Sequence, residues 1–330
     1  MTIPQLLTEQ MSWSELADYT INKLARFLEP SEHKTFKAWF LKREHIGHFF
    51  DYGLILRCFR ICQEVENNLD HFIVIVGREG LGKSTLSFQI AAWINPNFVI
   101  EHICYGAKAY LDILRKKARI AKLSHAVSSS LVLDEGTELL SREIMNATNR
   151  ALIKTFHIQR ALKTLVIINI PNFFMLDPAV RQHRVRTLIE IKDRGVYKMM
   201  LGNALELVDK EGRKTKRIGS VRLKPGTYWN GYFRSAFPLT IDRGAYEAHK
   251  LKGIRDTLEE MRFEVVETKL IPVSRVAKQV GVTNETVVSW IQKGIVSGKQ
   301  IGGQYFIPKL AYDLLMTTSD KESLGKGLIT

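Results

Sequence analysis

The residues with the clearest chemistry stand in one contiguous stretch, Gly77-Arg78-Glu79-Gly80-Leu81-Gly82-Lys83-Ser84. It fits G-x-x-x-x-G-K-[ST] at every fixed position. Glycines let the backbone curl so that successive N–H groups converge on a phosphate, and the N-terminus of a following helix adds positive potential. Lys83 would neutralise β- and γ-phosphate oxygens, the Ser84 hydroxyl would ligate Mg²⁺, and Thr85 would meet the α- or β-phosphate. The expected ligand is ATP with Mg²⁺, cradled by Gly77, Gly80, Gly82, Lys83, Ser84 and Thr85.

A second stretch complements the first. Ser130-Leu131-Val132-Leu133-Asp134-Glu135 is an apolar run ending in two carboxylates. Asp134 would hold the metal through water, and Glu135 would polarise the water that attacks the γ-phosphate. A third apolar run, Thr164–Pro171, carries a polar residue near its tip. Asn169 is the expected γ-phosphate sensor, with Asn172 as the alternative. Arg142, Arg150, Arg160, Arg181 and Arg184 flank the same edge, and one is expected to reach a neighbouring subunit's γ-phosphate. Arg160 and Arg181 are the preferred candidates.

These residues need a scaffold of buried strands. Phe72–Val76 is apolar without alternation, the pattern of a strand covered on both faces. A helix is expected over 84–93, with a short strand at 98–100, a helix over 107–121 and a long helix over about 141–161. A short helix beginning at Leu176-Asp177-Pro178 should then lead into a strand at 187–191. Three helices are expected before the glycine loop, the second capped by Ser31 and carrying Phe36, Trp39 and Phe40 beside Lys34, Lys37, Lys42 and Arg43. Aromatics among basics suit either a nucleic-acid surface or packing on the neighbouring domain, and packing is the preferred reading.

Composition bounds the partners. The 330 residues hold 48 Lys and Arg against 34 Asp and Glu, a net charge of +14. That excess points to a polyanion, nucleic acid before anionic membrane. No apolar run approaches the roughly 18 residues of a membrane span, and the first ten residues lack a signal-peptide layout. The three cysteines offer no zinc spacing and read as reduced thiols of a cytoplasmic protein. Between Lys192 and Arg234, eleven Lys and Arg face four Asp and Glu. Strands are expected at 198–207 and 231–241, with a basic hairpin tip at 208–216 whose Lys210, Arg213, Lys214 and Lys216 would meet DNA phosphates. A helix and linker should follow over 248–261.

Residues 270–316 are expected to form a separate unit. Ser274 is expected to cap a helix with Val276, Ala277 and Val280 inward; Gly281-Val282-Thr283 makes a tight turn, and Thr283 caps a second helix. A short β-wing should follow around Gly302-Gly303. This stretch resembles the excisionase/MerR-like winged helix-turn-helix family. The resemblance implies that Asn284, Glu285, Thr286, Ser289 and Lys293 face the major groove, with Lys299 and Gln304 flanking the wing.

The two acidic positions after the glycine loop, the arginine at 142 and the strand at 165–171 resemble the additional-strand P-loop ATPases of the FtsK/HerA superfamily, especially its Zot-like branches. The resemblance covers about residues 70–195. It implies a RecA-like α/β core whose mostly parallel sheet has the third apolar run inserted between the other two. That superfamily ends the inserted strand with Gln, where this chain has Asn169. The expected organisation is a helical region at 1–69, an ATPase core at 70–195, a basic β-rich extension and linker helix at 196–262, a winged helix-turn-helix at 270–316 and a tail at 317–330. The function implied is an oligomeric, ring-forming (hexameric) Mg²⁺-dependent ATPase acting on double-stranded DNA, with DNA translocation or packaging for a virus or mobile element leading. Replication initiation, helicase or transposition activity and an ATP-switched DNA-binding regulator are the alternatives.

Overall fold

The computed structural model describes residues 11–47, 49–67, 69–121, 129–134, 155–156, 164–268 and 270–317. Glu135, Arg142, Arg150 and Arg160 lie outside these residues, as does all of the expected 141–161 helix except Thr155 and Phe156. The chain divides into two compact units, Met1–Gly253 and Ile254–Thr330.

The first unit is an α/β fold around a seven-stranded sheet. Its strands are β1 (His71–Val76), β2 (Ile103–Cys104), β3 (Ser129–Leu133), β4 (Thr164–Ile170), β5 (Val185–Asp193), β6 (Val196–Leu201) and β7 (Tyr228–Tyr232). They run in the order β2-β3-β4-β1-β5-β6-β7. The first five are mutually parallel, and β6 and β7 add antiparallel at one edge. Thus β4 lies between β1 and β3, pairing Ile75 with Asn169 on one side and Leu133 with Ile168 on the other.

Strand periodicity sorts the apolar residues into two cores. Ile73, Ile75, Leu165 and Ile167 face one side, where α1 (Trp13–Lys23), α2 (His33–Leu41), α3 (Tyr52–Glu66) and α4 (Lys83–Ile94) pack. Phe72, Val74, Val166 and Ile168 face the other, with Tyr110 of α5 (Ala107–Ala121), Val180 of α6 (Pro178–His183) and Val208 of α7 (Gly202–Thr215). The aromatics of α2 are therefore core: Phe36 and Phe40 are fully buried, and Phe40 packs on Trp93 of α4 at 5.4 Å. The first helices belong to the same compact unit as the sheet. Among the described residues no helix is long and apolar enough to cross a membrane.

Several expectations need correction. The stretch 208–216 is no hairpin tip, and β6 stops at Leu201 instead of running to Leu207; α7 occupies 202–215. Its Ala204, Leu205, Val208 and Gly212 recur at helical spacing and are buried, while Asp209 and Arg213 pair across one turn at 2.7 Å. Gly212 has no alternative, because a Cβ there would stand 2.5 Å from the Phe174 ring. The strand expected at 231–241 is β7, at Tyr228–Tyr232. Residues 98–100 form no strand; a 3₁₀ turn at Ile100–His102 precedes β2. The second N-terminal helix opens with a 3₁₀ turn at Pro30–Glu32, and α2 itself has Glu32 at its N-cap, not Ser31. The helix expected at 248–261 is longer, α8 (Arg243–Thr268).

The second unit holds β8 (Leu270–Pro272), α9 (Val273–Val280), α10 (Asn284–Gln292), β9 (Lys299–Ile301), β10 (Gln304–Pro308) and α11 (Lys309–Thr317). The strands form an antiparallel sheet in the order β8-β10-β9. Val276, Ala277, Val280, Val287 and Ile307 make its core. Pro272, not Ser274, stands at the N-cap of α9. Gly281 closes α9 with φ +80°, and the Thr283 hydroxyl accepts from Thr286 N–H at 3.3 Å to start α10.

Candidate functional site

The glycine loop connects the C-terminal end of β1 to α4. Gly80 and Gly82 have φ of +76° and +97°, a region that a side chain disfavours, and Gly82 is the N-cap of α4. The backbone N–H groups of Lys83, Ser84 and Thr85 fall in the first turn, where no intrahelical acceptor exists. An anion at this point meets both those donors and the positive end of the helix dipole. The Lys83 ammonium lies folded across the loop, donating to Gly77 O at 2.9 Å and Arg78 O at 3.1 Å.

Two strand-end side chains, Asp134 and Asn169, gather beside it. Asp134, immediately after β3, is 2 % exposed. Its Oδ1 accepts from the Ser84 hydroxyl at 2.9 Å and from Asn169 Nδ2 at 2.9 Å. Asn169 Nδ2 also donates to Ser87 Oγ at 3.0 Å. The carboxylate offers only acceptors, so the amide nitrogen must face it. That leaves Asn169 Oδ1 buried with no hydrogen-bond partner among the described residues. Asn172 lies apart from this group: its Nδ2 donates to Lys216 O at 3.0 Å and its side chain caps the following 3₁₀ turn.

These groups line one cavity of about 640 Å³, with Gly80, Gly82, Lys83, Ser84, Thr85, Asp134 and Asn169 among its walls. Among the other wall residues that the sequence reading missed are Arg194, Arg243, Tyr246, Glu247 and Lys250. Tyr246 donates its hydroxyl to Asp134 Oδ2 at 3.2 Å. Burial first, and then the Asp134 charge, push the Tyr246 phenol well above its usual range, so it remains a donor. The local signal for this wall is the Arg243, Tyr246, Glu247, Lys250 spacing after an Asp242 cap.

The remaining candidates are placed elsewhere. Arg181, on α6, is 5 % exposed and in an ion pair with Asp209, with Nη1 donating to Leu176 O at 3.1 Å. It is not among the cavity's lining residues, and reaching a neighbouring subunit would require breaking that buried pair. Arg184 pairs with Asp70 and covers the Phe72 ring at 5.0 Å. Lys210, Arg213, Lys214 and Lys216 are exposed on α7 and just beyond its end, with Arg213 in its pair with Asp209. In the second unit, Asn284 is exposed and Thr286 and Ser289 are half-buried on α10. Lys293 and Lys299 are exposed, one just past α10 and the other at the start of β9.

No protein-family model matches the chain, and no curated protein matches it. Among solved structures, a replication initiator DnaA bound to AMPPCP and single-stranded DNA aligns over 90% of each chain, with 14% sequence identity and a TM-score of 0.26. A likeness of that degree carries no argument about activity. The chain's architecture stands on its own strands: an α/β fold with a mostly parallel seven-stranded sheet.

Proposed function

We propose that the chain is an oligomeric, Mg²⁺-dependent ATPase that acts on double-stranded DNA, in the form of a translocation or packaging motor of a virus or mobile element. The observation that carries the ATPase reading is the convergence of Ser84, Asp134 and Asn169 beside a glycine loop, at the carboxyl ends of parallel strands. Crevices outside those strand ends are where open α/β sheets bind ligands. A hydroxyl and a carboxylate are hard oxygen donors suited to Mg²⁺. Among the described residues no group of three His, Cys, Asp or Glu side chains is placed to hold a metal, so phosphates and water would complete the set begun by Ser84 and Asp134. When bound with ATP, the metal supplies charge neutralisation at the transferring phosphoryl group.

The chain's own residues do the rest. The loop N–H groups and Lys83 bind and orient the phosphates. Ser84 and Asp134 hold the metal's position, and Glu135 accepts a proton from the attacking water. The open acceptor of Asn169 orients that water, while its amide nitrogen ties it to Asp134. A trans-acting arginine completes the site in an assembled ring, and Arg160 is the candidate.

The DNA part rests on charge and shape. Exposed Lys210, Lys214 and Lys216 form a basic surface suited to phosphates. Two short helices with an intervening turn, followed by the β9–β10 hairpin, suit a winged helix-turn-helix in which Asn284, Thr286, Ser289 and Lys293 read a groove. The test is ATP turnover against duplex length. A motor shows turnover that rises with DNA length and displaces a roadblock. Slow, length-independent hydrolysis with tight ATP-dependent binding to one site would replace the motor with a switched regulator.

A further inference from the structure

The cavity beside the glycine loop has a second wall, built by α8. Arg243, Tyr246, Glu247 and Lys250 follow i, i+3, i+4, i+7 spacing, so they share one helix face, and all four line the cavity. Three contacts fix this part of the helix. Asp242 Oδ1 accepts from Ala245 N–H at 2.7 Å, and the His249 ring meets Ile103 O at 2.9 Å. At Gly253 a Cβ would stand 2.4 Å from the Tyr105 ring, so only glycine lets the helix approach so closely. The Tyr246 ring packs on Phe88 and Phe237, with centroids at 5.0 and 5.2 Å. Its hydroxyl donates to Asp134 Oδ2, the carboxylate oxygen opposite the one that takes Ser84 and Asn169.

A carboxylate accepts about four hydrogen bonds. Ser84, Asn169 and Tyr246 supply three, from three different elements, and so fix the plane of a buried carboxylate while leaving one acceptor direction open. We propose that Tyr246 is a positioning residue that aims Asp134 at a nucleotide-borne Mg²⁺, and that Arg243 and Lys250 on the same helix face meet the nucleotide's phosphates within the same subunit. The proposal rests on the ATPase reading above and adds a nucleotide-binding element far downstream of the glycine loop. Glu247 stands between the two cations on that face and limits its net charge to +1. The face therefore favours a polyanion without becoming a general phosphate trap.

The experiment titrates a fluorescent ATP analogue into the full chain, first in EDTA and then with increasing Mg²⁺, and follows Mn²⁺ binding in parallel by electron paramagnetic resonance. Tyr246→Phe keeps the ring and its packing, so the fold is retained, and a thermal melt checks it. It should leave affinity in EDTA within about two-fold while raising the divalent cation needed for half-saturation about ten-fold, the loss of one charge-assisted hydrogen bond. Arg243→Gln and Lys250→Gln should instead weaken binding already in EDTA. An unchanged or lowered Mg²⁺ requirement in Tyr246→Phe overturns the positioning role. Unchanged binding in EDTA for both Arg243→Gln and Lys250→Gln overturns the phosphate role. Lys83→Ala serves as the control on the underlying reading: if it binds the analogue like the parent chain, the ATPase reading itself fails, whatever the α8 variants do.

Discussion

Ser84 and Asp134, fifty positions apart in the chain, share a hydrogen bond of 2.9 Å at the mouth of the sheet. The bond joins the first turn of α4 to the end of β3 across the strand order, with β4 between β3 and β1. Inserting β4 there places Asn169 against the same Asp134 oxygen and against Ser87, one turn further along α4. The three residues act as one unit, so changes in any of them should not be additive.

Asn169 is the member whose loss should separate binding from chemistry. Asn169→Ala should leave ATP affinity within a few-fold and lower turnover by about 10²-fold or more, the scale of a misplaced attacking water. Asn169→Asp should be worse for metal as well, because a second carboxylate beside Asp134 disfavours two charges at once. Equal turnover in Asn169→Ala and the parent chain would remove the sensor role.

Stability should fall on mild acidification. His71 is fully buried at the start of β1, with Nδ1 2.7 Å from Glu64 and Nε2 2.9 Å from Thr187 Oγ1. Burial outweighs the Glu64 contact and depresses the imidazole from 6.5 to about 4. The folded state therefore refuses a proton that the unfolded chain accepts below pH 6.5. His71's contribution is complete above pH 6.5 and is lost as pH falls from 6.5 through about 4, reaching about 3 kcal/mol. His102, also lowered to about 4 by burial and then Lys117, adds to the same window. Urea unfolding at pH 7 and pH 5 should show the loss, and His71→Gln should shrink it. An undiminished loss in His71→Gln would assign the effect elsewhere.

The two basic regions should fail differently. Neutralising Lys210, Lys214 and Lys216 should weaken binding to all duplex sequences alike. It should also flatten the log–log salt dependence by about 0.9 for each DNA phosphate that the variant no longer neutralises. Changing Asn284, Thr286 and Ser289 to Ala should cost preference among duplexes while leaving DNA-stimulated turnover largely in place. Filter binding across a salt series on two unrelated duplexes separates these outcomes. Loss of all DNA stimulation with the α10 changes, and none with the α7 changes, would make the second unit the sole DNA-binding surface.

How far the sequence led depended on how local each constraint was. The glycine loop and the Asp134 strand end were legible because their chemistry dictates residue types over a few consecutive positions. Asn169 was legible through the inserted-strand resemblance, and its strand does lie between the other two. The stretch at 208–216 misled because charge and a glycine look like a turn; only the ring of Phe174 explains why Gly212 sits inside a helix. Tyr246, Arg243 and Lys250 were missed because tertiary packing alone brings α8 back to the loop, through the close approach at Gly253 and the His249 contact with β2. Residues 98–100 look like a strand from three apolar or β-branched positions, too few to outweigh the 3₁₀ turn that follows.

The central claim is that Lys83, Ser84 and Asp134 hold Mg²⁺–ATP for hydrolysis. Phosphate release with Mg²⁺–ATP and duplex DNA, compared among the parent chain, Lys83→Ala and Asp134→Asn, tests it most directly. The parent chain should turn over ATP, and each variant should fall by at least about 10²-fold. Thermal melts near the parent value would show that the fold survives. Hydrolysis by both variants at the parent rate, or none by the parent chain with Mg²⁺ and DNA present, would contradict it.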